Sequence, residues 1–292
     1  MFSAASKALI TLAGVVVALG ALDYRALADS GTQRGDVASM RDRGLHAEPL
    51  RVCADPNNLP FSNSQGEGFE NALARLVAHD LHRELTYTWW PQRRGFVRNT
   101  LRAEVCDLVM GVPAGYEMVD PTRPYYRSTY VFVTRASRHL DLRSLDDPRL
   151  HGLAIGVHAI GDDYANVPPA QALAERGIVA NVHGYSIYGD YSKPNPARDL
   201  IDAVARGDID VAIAWGPLAG YFSKRESVPL QVTPIATADP PDPGMTFAIA
   251  AGVRHGDAAL KSDVEAVLAK RGTDIARLLR EYHVPVVEES GA

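Results

Sequence analysis

Residues able to bind a small molecule or a partner gather where the predicted strands end. Ligands of α/β proteins bind in the crevice beyond the carboxyl ends of the strands, which makes these positions the first candidates. The set combines amides and carboxylates, which fix polar groups, with aromatic rings, which exclude water. We predict that a ligand- or partner-binding cleft is lined by Asp55, Asn57, Asn58, Phe61, Trp89, Trp90, Gln92, Arg93, Arg94, Gly111, Tyr116, Asp162, Asp163, Tyr188, Asp190, Tyr191 and Trp215.

Two adjacent arginines, Arg93 and Arg94, give this set its most specific chemistry. A guanidinium group holds an anion by paired hydrogen bonds, and Trp89 or Trp90 could form an apolar wall beside it. The alternative interpretation is that Trp90 packs in a core and that both arginines are solvated.

No residue pattern in the chain predicts catalysis or a resident metal ion. Asp162 and Asp163 are adjacent carboxylates, but Ca²⁺ takes roughly six to eight oxygen ligands and no EF-hand spacing follows. They are therefore interpreted as a helix cap. Ser186 does not lie in a nucleophile elbow, and no Cys/His cluster has zinc spacing. The sequence thus predicts no catalytic residue, no metal site and no cofactor.

One motif that occurs twice indicates the elements that position the candidate residues. In 101–111 and in 204–216, a helical stretch leads into an apolar strand that begins with Asp107 or Asp210 and ends on a glycine. Such a step is half of an α/β unit whose strand is buried in a parallel sheet. Its occurrence in both halves of the chain predicts two similar α/β lobes.

Hydrophobic periodicity extends this alternation along the whole chain. Predicted strands cover 50–54, 85–90, 107–110, 125–134, 153–157, 182–187, 210–214, 230–235 and 245–253. Predicted helices cover 69–81, 96–103, 169–176, 196–206, 258–270 and 273–282. This alternation predicts parallel or mixed sheets flanked by helices.

The composition and the N-terminus favour an exported protein. The 292 residues carry a formal net charge of −5, which argues against a nucleic-acid-binding protein. The N-terminus has the layout of a cleaved signal peptide: Lys7, the apolar run 8–22 and the small residues Ala26 and Ala28. The exported chain is therefore predicted to begin at Asp29. An uncleaved membrane anchor is the alternative, although the apolar run is short for a span.

The chain contains two cysteines, Cys53 and Cys106. An even number of cysteines in an exported protein favours a disulfide, and both lie in or beside predicted strands that could be neighbours. The alternative is a pair of reduced core cysteines, which behave as small apolar side chains.

Long motifs resemble one family of the type-2 periplasmic binding proteins. They are RVCADPNNLPFSN, GFEN, YTWWPQRRGFVRNTL, CDLVMGVPAGYEMV, TRPYYRSTYVFV, IGDDYANVPPA, YGDYSKPNPA and GDIDVAIAWGPLAGYF, within about 50–285. They look like the MxaJ/XoxJ group of binding proteins, which belongs to solute-binding protein family 3 and is associated with quinoprotein dehydrogenases. The resemblance implies a fold of two α/β lobes joined by two hinge crossings, near 130–135 and near 233–246, with a cleft between the lobes.

The resemblance also implies domain boundaries, a location and partners. A signal peptide (1–28) and a flexible lead-in (29–48) precede lobe 1, lobe 2 is inserted into lobe 1, and a C-terminal tail (286–292) closes the chain. Lobe 1 covers 49–134 and 246–285, and lobe 2 covers 135–245. The implied role is to dock to, or help activate, a periplasmic PQQ-dependent methanol or alcohol dehydrogenase in methanol oxidation. The cytochrome c of that enzyme and a small-molecule ligand are further candidate partners.

One departure from the amino-acid-binding relatives affects the expected ligand. Those proteins carry an arginine shortly after the glycine-ended strand to hold an α-carboxylate, and Met118 falls in the matching stretch here. An ordinary amino acid is therefore not the expected ligand.

Three functional hypotheses follow. The first is a non-catalytic accessory protein of a PQQ-dependent dehydrogenase, and the second is the solute-binding component of a transport system for a small polar ligand. The third is an enzyme built on this fold, for which no carboxylate–base pair stands out.

Overall fold

The chain folds as an α/β protein, and its computed structural model describes residues 48–159, 167–187, 191–236 and 244–288. The strands are β1 (Leu50–Ala54), β2 (Asn57–Asn58), β3 (Ser62–Asn63), β4 (Leu85–Trp89), β5 (Leu108–Pro113), β6 (Asp120–Pro121), β7 (Tyr126–Arg135), β8 (Ile155–Ala159), β9 (Val182–Ser186), β10 (Val211–Trp215), β11 (Leu230–Pro234) and β12 (Thr246–Val253). The α-helices are α1 (Phe69–Asp80), α2 (Phe96–Asn99), α3 (Pro168–Glu175), α4 (Asp199–Arg206), α5 (Gly216–Ser223), α6 (Ala258–Lys270) and α7 (Gly272–Glu281).

Ten of these strands form one curled sheet in the order β4-β1-β5-β12-β7-β10-β8-β9, with β11 beside β7 and β6 beside β12. Strand β1 is parallel to β4 and β5, and β8 is parallel to β9 and β10. The antiparallel strands β12 and β7 join these two parallel groups.

Strand β7 passes from the first group to the second. Residues Tyr126 to Thr129 pair with β12, whereas Tyr130 to Thr134 pair with β10. This change of partner falls at the first predicted crossing, near 130–135. The second predicted crossing, near 233–246, includes residues 237–243, which lie outside the described residues. The lobe boundaries stay predictions.

Most predicted elements are confirmed within two residues, and the differences have local causes. The helix predicted over 196–206 opens with a 3-10 turn at Pro196–Arg198, so α4 begins at Asp199. The helix predicted over 96–103 ends at Asn99, where the Thr100 hydroxyl donates to the Phe96 carbonyl oxygen at 2.7 Å. Strand β5 does not end at Gly111 but continues to Pro113, because β12 pairs with that segment. Helix α5 was not predicted, since its two glycines disfavour a helix in sequence.

The aspartates of the repeated motif fix the parallel strands. The Asp107 carboxylate accepts the backbone N–H of Arg51 at 3.2 Å, and Asp210 accepts that of Ala154 at 2.9 Å. An arginine also pairs with each carboxylate, Arg51 at 2.6 Å and Arg138 at 2.7 Å. The repeat therefore marks equivalent joints, in which an aspartate ties its strand to the start of the parallel neighbour.

Both faces of the central parallel strands β1, β5, β8 and β10 are mostly buried, as expected when helices cover a parallel sheet, whereas the edge strands β4 and β9 are more exposed. In β10, Val211 and Ile213 belong to one apolar cluster, while Ala212 and Ala214 belong to the cluster on the other face. In the first group, one cluster contains a Cys53–Cys106 disulfide with a Cα–Cα distance of 5.5 Å, which confirms the predicted bridge.

The predicted signal peptide (1–28) lies outside the described residues. So does the predicted lead-in (29–48), apart from residue 48, where the described part of the chain begins. Within the described residues, no helix combines the length and the apolarity that a membrane span requires.

Candidate functional site

A cavity of about 280 Å³ lies where the two parallel groups meet. Its described lining consists mainly of apolar and aromatic side chains with a few polar groups. The lining residues are Asn58, Phe61, Glu70, Gln92, Gly111, Val112, Pro113, Tyr126, Tyr130, His158, Val167, Ile187, Trp215, Leu218, Phe247 and Ile249. A largely apolar cavity with a few polar groups is the usual composition of a small-molecule site.

An aromatic cluster forms one wall of this cavity. Trp215, the last residue of β10, lies between Tyr130 and Phe247, with ring centroids 5.4 and 5.7 Å away in edge-to-face geometry. Each ring comes from a different strand, and the antiparallel pairing of β7 with β10 and β12 brings them together. The predicted cleft residue Trp215 is thus in the cavity lining.

The start of α1 places a carboxyl group in the same cavity. Gly68 precedes the helix, and a Cβ atom at that position would lie 2.0 Å from the Phe61 carbonyl oxygen, so only glycine allows this close approach. Asn71 accepts the backbone N–H of Gly68 at 3.1 Å, which holds the first turn. Glu70, the second helical residue, then lies over Gly111, whose hypothetical Cβ would be 2.0 Å from a Glu70 oxygen.

Glu70 and His158 are both mostly uncharged at neutral pH. Burial raises the pKa of the Glu70 carboxyl to about 8. Burial also lowers the pKa of His158 to about 4, although its hydrogen bond to the Ala197 carbonyl opposes this shift. His158 Nε2 lies 3.1 Å from that carbonyl oxygen, so this nitrogen carries the proton and donates it.

Asp55 and Asn57 connect the loop after β1 to residues 191–195. The Asp55 carboxylate is fully buried and accepts the Tyr191 hydroxyl at 2.8 Å. The Asn57 side chain donates to the Lys193 carbonyl oxygen at 2.8 Å and accepts the Asn195 N–H at 2.8 Å. We call these three hydrogen bonds the crevice clasp. Asp55 also accepts the backbone N–H of Gln92 at 2.6 Å. Its carboxylate therefore connects the loop after β1 to Gln92 and Tyr191.

A second cavity of about 360 Å³ holds the predicted arginines. Arg93 and Arg94 are exposed and line it together with Tyr116, whose hydroxyl lies 3.2 Å from the Met118 sulfur. Gln92 and Gly111 line both cavities, and Asn58 donates to the Gln92 side chain at 3.1 Å beside them. The two cavities are therefore adjacent.

Other predicted site residues lie elsewhere. Trp89 stacks on Tyr87 along the edge strand β4, with ring centroids 4.5 Å apart, and Trp90 is 39% exposed. Neither tryptophan belongs to the described lining of the two cavities. Four further predicted residues lie outside the described residues: Asp162, Asp163, Tyr188 and Asp190.

Sequence reasoning missed several lining residues. Glu70, Tyr126, Tyr130, His158 and Phe247 were not predicted to line the cleft. Glu70 has the position of an ordinary first-turn acid, and His158 lies inside a buried strand. The signal for Glu70 was its place directly after Gly68-Phe69, since a glycine needed for close approach aims the first helical turn at the cavity. Within the described part of the chain, no group of three or more potential metal ligands comes together.

Comparison with known proteins identifies the family. The chain is 32% identical to the protein MoxJ of Methylorubrum extorquens over 300 residues, which cover 98% of this chain and 96% of MoxJ. The chain belongs to the MoxJ family. The crystal structure of the periplasmic binding protein XoxJ from Methylobacterium extorquens AM1 is 41% identical with a TM-score of 0.68, and it covers 82% of this chain and 100% of XoxJ.

A second solved structure supports the same family relationship. MxaJ from Methlophaga aminisulfidivorans MPT is 27% identical with a TM-score of 0.69, and the match covers 82% of this chain and 100% of MxaJ. No protein-family model matches the chain. The relationship confirms the predicted MxaJ/XoxJ resemblance and the type-2 periplasmic binding fold. An accessory or binding role follows from this relationship, and the relative XoxJ is a periplasmic binding protein.

Proposed function

We propose that this MoxJ-family chain is a non-catalytic accessory protein of a PQQ-dependent methanol or alcohol dehydrogenase. It docks to the enzyme, or helps to activate it, through the crevice that contains the two cavities. The observation that carries the proposal is the relationship to MoxJ, which extends over 98% of the chain and therefore includes every crevice element. A signal peptide cleaved after Ala28 would deliver the chain to the same compartment as the enzyme.

The surface of the crevice supports a docking role. Arg93 and Arg94 are exposed beside the second cavity, and Tyr116 is 36% exposed there. Arginine and tyrosine are enriched among the residues that dominate protein–protein affinity, because they combine apolar contact area with hydrogen bonding. An inserted loop of the dehydrogenase would meet this rim first.

The test is reconstitution of the dehydrogenase. Apo-dehydrogenase is incubated with PQQ and its metal ion, with and without the exported chain (29–292), and the rate of appearance of dye-linked alcohol oxidation is measured. We expect the chain to raise the rate or the final yield, and a doubly substituted Arg93→Ala/Arg94→Ala variant to lose that effect. Arg280→Ala, an exposed arginine of α7, is the matched control and should behave like the wild type. Identical time courses with and without the chain would contradict the activating role.

The second candidate is the solute-binding component of a transport system. The observation that favours it is the cavity of about 280 Å³, which can enclose a small molecule. A ligand that binds only the folded chain raises its melting temperature in proportion to the logarithm of ligand concentration. A concentration-dependent rise with one member of a broad solute panel would support this candidate, and no rise with any of them would count against it.

A further inference from the structure

The Glu70 carboxyl has no charge partner among the described residues that line its cavity. Among the described lining residues there is neither a lysine nor an arginine, and Glu70 makes no side-chain hydrogen bond to any described residue. Glu70 is half-buried, and a carboxyl group that loses part of its hydration without gaining a partner is unfavourable. The missing partner points to a bound group that supplies positive charge or hydrogen-bond donors.

The walls around this carboxyl have the chemistry that accepts an organic cation. Five aromatic side chains line the cavity: Phe61, Tyr126, Tyr130, Trp215 and Phe247. The faces of such rings attract ammonium groups, and aromatic cages are the usual sites for methylated ammonium ions. An anionic ligand would find no cationic side chain in the described lining, and an uncharged apolar ligand would leave Glu70 unpaired.

We propose that this cavity binds a small organic ammonium ion, with Glu70 as its counter-charge and the aromatic side chains packed around its alkyl groups. The cavity volume of about 280 Å³ lies just below the usual range for small-molecule sites, which suits a small alkylamine better than an oligopeptide. The proposal goes beyond the accessory function, because it concerns the chain by itself and does not require the dehydrogenase.

Binding of the cation is coupled to loss of a proton. The ligand-free carboxyl is mostly protonated below its pKa of about 8, whereas an ammonium ion pairs with the ionised form. The titratable groups that interact with Glu70 are the phenols of Tyr87, Tyr125 and Tyr126, whose pKa values are raised by burial, so they stay neutral. His158 in the same cavity, with a pKa of about 4, is neutral above pH 6.

Glu70 is therefore the group among these that changes charge between pH 6 and pH 8. The ionised fraction of a group with a pKa near 8 rises about fiftyfold over that interval. The affinity for a permanent cation should rise by the same factor, and binding at pH 6 should release about one proton per site.

The experiment is titration calorimetry of the exported chain with tetramethylammonium chloride and n-butylammonium chloride, at pH 6 and pH 8. Titration at pH 6 in two buffers of different ionisation enthalpy counts the released protons. Butan-1-ol and butyrate are the neutral and anionic comparison ligands. Nα-acetyl-lysine methylamide offers the same ammonium group on a peptide unit, and so distinguishes a protein lysine from a free amine as its source.

We expect one of the cations to bind, butan-1-ol and butyrate to bind at least tenfold more weakly, and the cation affinity to rise between pH 6 and pH 8. Glu70→Gln should weaken cation binding at pH 8 at least tenfold and abolish its pH dependence. Glu281→Gln, an exposed acid at the end of α7, should leave both unchanged. Equal binding of butan-1-ol and n-butylammonium, or binding of neither cation, would overturn the proposal. The pH dependence in the wild-type chain decides the question even if Glu70→Gln does not fold.

Discussion

Glu70 shows how one side chain can link the cavity to the stability of the fold. Its pKa is about 8 in the folded chain and 4.5 as an ordinary glutamate, and burial is the cause. Because the folded-state pKa is raised, the contribution of this group to stability is complete below pH 4.5. It is lost progressively as the pH rises towards 8, since the unfolded chain releases a proton that the folded chain retains.

Replacement of Glu70 by glutamine should therefore stabilise the ligand-free chain at alkaline pH. We expect Glu70→Gln to increase the free energy of unfolding at pH 8 by about 1–3 kcal/mol, a range reduced for partial solvent access, and to change little at pH 4.5. Urea unfolding at both pH values measures the difference, with Glu281→Gln as the control. A Glu70→Gln variant that is less stable than the wild type at pH 8 would show that the carboxylate has a partner in the folded chain.

At the scale of elements, the two joints at Asp107 and Asp210 explain why one motif occurs twice. Each carboxylate fastens the start of its strand to the parallel neighbour, but the surroundings differ. The Asp107 side chain is 10% exposed and pairs with Arg51 and Arg254, whereas that of Asp210 is 26% exposed. Burial opposes ionisation of Asp107, but the hydrogen bonds from both arginines outweigh it and hold its pKa below the ordinary value.

Loss of the joint at Asp107 should reduce the stability of the fold more than loss of the joint at Asp210. We expect Asp107→Ala to reduce the free energy of unfolding by about 2–3 kcal/mol and Asp210→Ala by about 1–2 kcal/mol, because the first removes the carboxylate that pairs with two arginines. Urea titrations at pH 7 provide both values. Since the folded-state pKa of Asp107 is lowered, its contribution is present above pH 3.8 and fades as the solution is acidified further. An equal or larger loss for Asp210→Ala would contradict the ranking.

Helices and strands with a clear local sequence pattern were predictable, whereas elements that depend on contacts with residues distant in sequence were not. The hydrophobic periodicity of α1 was sufficient to predict that helix, and the run of β-branched residues in β7 was sufficient to predict that strand. Helix α5 contains Gly216 and Gly220, and its place is fixed by close backbone contacts that no local signal shows. A Cβ atom on Gly220 would lie 1.9 Å from the His283 carbonyl oxygen, so the glycine that disfavours the helix in sequence is required by its packing.

The candidate site was also predictable only in part from the sequence. The residues at predicted strand ends include Trp215, Asn58 and Gln92, which all line the first cavity. Tyr130 and Phe247 were missed because the pairing of β7 with β10 and with β12, strands that are distant in sequence, brings their rings beside Trp215. A carboxyl such as Glu70 is also ordinary in sequence, and only its burial makes it unusual.

At the scale of the whole molecule, the crevice clasp joins the loop after β1 to residues 191–195. Asn57 alone makes two of its three hydrogen bonds, both to backbone groups. Because loops between strands have few other contacts, loss of these bonds should act locally before it affects the global fold.

Replacement of Asn57 should therefore loosen the crevice. We expect Asn57→Ala to increase amide hydrogen exchange of the Asn195 N–H and its neighbours at least tenfold, with a loss of global stability of about 1–2 kcal/mol. Exchange followed by mass spectrometry resolves this segment. Asn99→Ala, an exposed asparagine at the end of α2, is the control. Unchanged exchange in residues 191–199 would mean that the clasp does not hold this segment in solution.

The chain is proposed to act on a PQQ-dependent dehydrogenase through its crevice. Titration calorimetry of the exported chain against a purified PQQ-dependent methanol dehydrogenase, in apo and holo forms, tests this interaction. We expect a complex with one of the two forms preferred, and a loss of about 1–3 kcal/mol in binding free energy for Arg94→Ala but none for Arg280→Ala. No heat and no complex with either form at tens of micromolar would contradict the proposed interaction.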